Sequence, residues 1–92
     1  MTIDATLEIV RDECARAERT FGDQAHLNAF EWLAVLVEEV GEAANELNEM
    51  TLDRTRPDPL DIGDTSQERR NRLRAEMTQV AAVAVRWLDV MP

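Results

Sequence analysis

Three stretches of this chain repeat apolar residues at three-four spacing, and nothing in it alternates with a period of two. That pattern restricts the chain to helices that each bury one stripe. In the first stretch, about 4–20, Leu7, Val10, Cys14, Ala17 and Phe21 make the stripe, and Gly22 is the expected stop. In the second, about 28–50, the stripe is Leu33, Leu36, Val37, Val40, Ala44 and Leu47, and Glu38, Glu39, Glu42, Glu46 and Glu49 crowd the rest. Gly41 interrupts this helix at a cost of about 1 kcal/mol relative to Ala, which a close helix–helix contact would justify. The third, about 65–90, opens on a capping-box pattern, Thr65 followed by Glu68, and carries Leu73, Met77, Val80, Ala84, Trp87 and Met91. Residues 51–64 hold Pro57, Pro59, Gly63 and four aspartates, and read as a loop.

The expected fold is therefore all-α, a three-to-four-helix bundle in a single domain of 92 residues. The run Val80–Val85 is apolar around most of its circumference, so two other helices cannot wrap it fully. A homodimer or tetramer using the third helix is the expected assembly, and a core of this size gains from association.

Charge narrows the partners. Nineteen acidic residues stand against ten arginines and no lysine, a formal net charge of −9. Such a chain repels nucleic-acid phosphates as a whole, so no nucleic acid is expected. No apolar run reaches the 18 residues of a membrane span. The acidic start lacks the basic n-region of a signal peptide, and Cys14 has no second cysteine to pair with. The expected location is the cytoplasm. Arg69, Arg70, Arg72 and Arg74 open the third helix, where positive charge opposes the helix dipole; they await an anion or form a solvated surface.

The acidic residues form two spaced motifs. Glu39 and Glu42 are three apart on the second helix, and Glu76 and Gln79 are three apart on the third. Residues at that spacing share a helix face. If the two helices pack side by side, their oxygens converge, as a hard cation such as Mg²⁺ requires. Taken alone, the second helix reads first as one with a solvated acidic face, and the motif on the third helix changes that weighting. On the third helix, Glu76, Gln79, Val83 and Arg86 form a ridge beside the apolar stripe, and a polar group there needs a metal, an Arg or a ligand.

The stretch EWLAVLVEEVGEAANEL (31–47), with RAEMTQVAAVAVRWL further on, resembles the MazG-like all-α nucleoside triphosphate pyrophosphohydrolases. The signature of that family is Glu-x-x-Glu on one helix and Glu-x-x-Asp on the next, and the likeness covers roughly 20–90. It implies a helical bundle assembled as a dimer or dimer of dimers. It also implies Mg²⁺-dependent hydrolysis of a nucleoside triphosphate to monophosphate and pyrophosphate, with Mn²⁺ as a substitute. Carried over, Glu39, Glu42 and Glu76 are metal ligands, Gln79 takes the usual Asp place, and Glu38 orients or deprotonates the attacking water. Gln79 offers a carbonyl oxygen without negative charge. The enzyme then works at higher metal concentration, or an Asp of the 51–64 loop supplies the charge, or the protein binds nucleotide or metal without turnover. A helical interaction module is the alternative from a different class.

Remaining candidates have plain structural readings beside functional ones. Arg86 either contacts substrate phosphate or neutralises Glu76 or another acid. Asn45 either touches sugar or base or is an ordinary surface residue. Trp32, flanking its stripe, is the better candidate to stack a nucleobase; Trp87, on its stripe, belongs to the core. His26 falls in the connection before the second helix. No Gly-rich phosphate loop is present.

Overall fold

The computed structural model describes residues 1–50 and 67–92, except the side chain of Met50. Three helices make up the described fold: α1 Ile3–Phe21, α2 Ala29–Met50 and α3 Gln67–Val90. The loop expected over 51–64 and the Thr65 half of the capping box lie outside the described residues. Among the described residues there is no strand, and no helix is long and apolar enough to cross a membrane.

Local chemistry sets both ends of α1 and the start of α2. Thr2 caps α1, its Oγ1 accepting from the Ala5 N–H at 3.1 Å. At the other end Gly22, at φ 73°, donates its N–H to the Glu18 carbonyl. A left-handed residue there closes the last turn without a Cβ penalty. Asn28 and Glu31 form a reciprocal capping box at α2: Glu31 N–H donates to Asn28 Oδ1 at 2.9 Å, and Asn28 N–H to Glu31 Oε1 at 3.0 Å.

Helix α3 is the central element. It packs along α2 and along α1, while α1 and α2 barely meet each other. Contacts at both ends show α2 running antiparallel to α3. Near the end of α2, Glu46 pairs with Arg72 at 3.5 Å and the Glu49 carbonyl accepts from Arg69. Near its start, Trp32 lies under Arg86. Two of the four arginines that opposed the dipole of α3, Arg69 and Arg72, thus serve the end of α2, whose C-terminal carbonyls carry partial negative charge.

The packed face of α2 differs from the stripe predicted for it. Trp32, Leu36, Glu39, Ala43 and Glu46 turn inward, whereas Leu33, Val37, Val40 and Ala44 are exposed, Val37 by 60%. The apolar arc of α2 is wider than one neighbour can cover, and α3 takes the half that contains the glutamates. On α3 the inward row is Arg72, Glu76, Gln79, Val83 and Arg86, while Met77 and Leu88, and Met91 just past the helix, remain open. Gly41 makes no close helix contact: a Cβ there would meet nothing within 4 Å. Among the described residues the buried apolar ones are Val10, Ala17, Trp32, Ala43, Ala82 and Val83. Only Trp32 among them is large, so this core is thin for three helices of such length.

Candidate metal centre

One carboxylate oxygen from each of Glu39, Glu42 and Glu76 lies within 4.8 Å of the others. Helix α2 supplies two of them from successive turns, and α3 supplies the third from the facing row. Glu39 and Glu76 are half-buried and Glu42 is exposed, so the cluster opens to solvent on one side. Oε2 of Glu39 and Oε2 of Glu76 are buried with no hydrogen-bond donor. Ionised carboxylates only accept, so three of them together have nothing to offer one another.

The consequence is visible in their proton affinities. Burial, followed by the charge of Glu42 and a proton shared with it, raises Glu39 from 4.5 to about 7. Glu76 is raised as well, first by burial and then by Glu42. Either a proton or a cation relieves this crowding. Oxygens around Mg²⁺ at about 2.1 Å sit roughly 3 Å apart when adjacent and roughly 4.2 Å apart when opposite. A small inward movement would therefore bring the three into a shared coordination sphere. Three carboxylates with two orphaned buried oxygens are a donor set that fits a hard divalent ion.

The other expected site residues fall in different places. Gln79 is half-buried one turn beyond Glu76, and it lines a cleft together with Glu39. Glu38 is exposed and stands outside the three-carboxylate group. Asn45 is exposed and donates along its own helix to Glu49 at 3.4 Å; it lines neither cleft described below. Trp32 is 2% exposed, and its ring is covered by the Arg86 guanidinium at 5.7 Å from the centroid. It is a core residue and offers no free face for a base, a correction that follows from the rotation of α2 described above. Arg86 does not neutralise Glu76. It is 7% exposed and donates through Nη2 to the Gly22 carbonyl at 3.1 Å and to Gln24 Oε1 at 2.8 Å. Cys14 packs against α3, its thiol donating to the Ala82 carbonyl at 3.7 Å. Burial raises the thiol's pKa, as befits a packed rather than a reactive cysteine. His26 is exposed in the connection between α1 and α2.

Two clefts flank α3. One, of 310 Å³, lies between α1 and α2 and includes Arg16, Phe21, Glu39, Gln79, Val83 and Arg86 in its lining. The second, of 540 Å³, shares Arg16 and Gln79 and adds Arg19 and Arg74. Arg16 thus shares the first cleft with Glu39 while its guanidinium pairs with Glu13, also on α1, at 2.5 Å. Arg16, Phe21 and Gln24 were not legible as site residues, because α1 showed only an apolar stripe and its placement beside Glu39 is tertiary. Compared with protein-family models, curated proteins and solved structures, the chain matches none.

Proposed function

We propose that this protein is a Mg²⁺-dependent nucleoside triphosphate pyrophosphohydrolase, releasing pyrophosphate and a nucleoside monophosphate. The observation that carries this reading is the convergence of Glu39, Glu42 and Glu76 with two buried carboxylate oxygens left without donors. The three glutamates would hold the cation, and the Gln79 carbonyl would be a weaker fourth ligand. When bound, Mg²⁺ supplies charge neutralisation at the phosphate oxygens, the main requirement of phosphoryl transfer. Arg16 lines the cleft that holds Glu39; its guanidinium is paired with Glu13 at 2.5 Å and would exchange that carboxylate for a polyphosphate oxygen. Glu38, a carboxylate outside the metal-holding three and open to solvent, takes the proton of the attacking water. Water adds at phosphorus, the α–β bridging P–O bond breaks, and pyrophosphate departs.

The direct test is pyrophosphate release from a panel of NTPs and dNTPs with Mg²⁺ or Mn²⁺. No turnover of any nucleotide, together with unchanged nucleotide binding by Glu42→Gln, would sink the proposal. A non-catalytic metal- or nucleotide-binding protein is the second reading, favoured by the uncharged amide at Gln79. Gln79→Asp separates the two: activity that appears only in the variant identifies an impaired site.

Assembly belongs to the same proposal. The exposed row Leu33, Val37, Val40 and Ala44 on α2, with Met77 and Leu88 on α3 and Met91 just beyond it, supports a homodimer or tetramer. Burying each large side chain contributes about 1.5–3 kcal/mol, which the thin core of one subunit lacks.

A further inference from the structure

The connection from α1 to α2 closes one end of the 310 Å³ cleft, and Arg86 sits at that end. This guanidinium is more than nine-tenths buried, yet both its acceptors are neutral, the Gly22 carbonyl and Gln24 Oε1. Trp32 provides only the face of its ring. The Arg86 Nε–H is buried with no acceptor. A charged donor taken out of water and left unfilled is costly, and such groups in native proteins have a reason. Gln24, held at φ 55°, spends its oxygen on Arg86 and keeps only N–H groups to offer. The end of the cleft is therefore rich in donors and calls for an oxygen acceptor.

Its walls suit a flat ligand. Ala17, Val35 and Val83 are apolar, and Phe21 stands at the mouth, 58% exposed. A cleft of 310 Å³ is at the small end of ligand pockets. Gln79, beside Glu39, is seven residues from Arg86 on α3, roughly 10 Å at the helical rise. A nucleoside bridges that separation between its base and its 5′-phosphate.

We infer that this end of the cleft seats the base of a nucleotide, with the Arg86 guanidinium turning to donate its unfilled N–H to a ring oxo group and Phe21 stacking on the base. The inference rests on reading Glu39, Glu42 and Glu76 as the phosphate end. It selects bases with an oxo group facing Arg86 and disfavours adenine, which has an amino group and no ring oxygen.

The experiment is titration calorimetry of the full chain with inosine and adenosine 5′-monophosphates, which differ at that position. Inosine monophosphate should bind at least about tenfold tighter, the worth of one hydrogen bond to a charged donor. Phe21→Ala, at an exposed helix end, should weaken inosine monophosphate binding by about tenfold and leave the Mn²⁺-induced rise in Tm unchanged. Arg86→Lys should abolish the preference between the two ligands; if it does not fold, the parent's preference and Phe21→Ala decide. Equal affinity, tighter adenosine monophosphate, no binding of either at millimolar concentration, or an unchanged Phe21→Ala affinity each overturns the inference. Pyrophosphate release without an oxo preference removes the base seat and leaves the hydrolase standing. An oxo preference without any pyrophosphate release does the reverse.

Discussion

Replacing Glu39 by Gln keeps the side chain's shape and removes one charge from the carboxylate cluster. Glu39 is raised from 4.5 to about 7 when folded, a difference of about 2.5. At 1.36 kcal/mol per unit the full value is about 3.4 kcal/mol. Partial exposure and screening reduce it to about 1–3 kcal/mol. Between pH 4.5 and 7 the folded state binds more protons than the unfolded chain, so stability falls as pH rises through that window. The metal-free parent therefore carries an ionisation cost at pH 8 that Glu39→Gln lacks, and the two converge near pH 4. At about 4–8 °C per kcal/mol for a domain of this size, the variant should melt several degrees higher at pH 8 with a chelator present. Millimolar Mg²⁺ should reverse the order, raising the parent's Tm and leaving the variant's nearly unmoved. Circular dichroism melts at pH 4, 6 and 8, with chelator and with Mg²⁺, supply the comparison. A variant less stable than the parent in chelator at pH 8, or a difference independent of pH, would refute the crowding argument.

Three further outcomes follow from other parts of the fold. Asn28→Ala removes one half of the α2 capping box and should cost about 1 kcal/mol by denaturant titration. Gly41→Ala should stabilise the protein by about 0.5–1 kcal/mol, because a Cβ there meets nothing; destabilisation would reveal a neighbouring subunit packed against that turn. Val40→Asp charges the exposed α2 row and should shift sedimentation toward the monomer, whereas an unchanged molecular weight would move the interface elsewhere.

The helical pattern was readable because three-four spacing survives tertiary context. The direction in which α2 faces was not. Its apolar arc runs from Trp32 and Leu36 on one side to Val37 and Ala44 on the other, and sequence alone weights both sides by hydrophobicity. Contacts at the two ends, Arg72 with Glu46 and Arg86 over Trp32, decide in favour of the side that holds the glutamates. The spacing of Glu39, Glu42 and Glu76 was legible for the opposite reason: it needs only helical geometry and adjacency. Trp32 was misplaced by the same rotation that brought the carboxylates inward. The odd placement of arginines on the first turns of α3 was visible, but its cause lay at the end of another helix.

On α2 the row Leu33–Val37–Val40–Ala44 is one residue on from the row Trp32–Leu36–Glu39–Ala43, about 100° around the axis. A roll of α2 by that angle would swing the outer row toward α3 and Glu39 away from Glu76, and would carry the buried Trp32 toward water. In an isolated subunit the crowded carboxylates favour that roll and the buried Trp32 opposes it. A partner over the outer row and a cation among the glutamates would both resist the same roll, so that losing either would loosen the grip of the other.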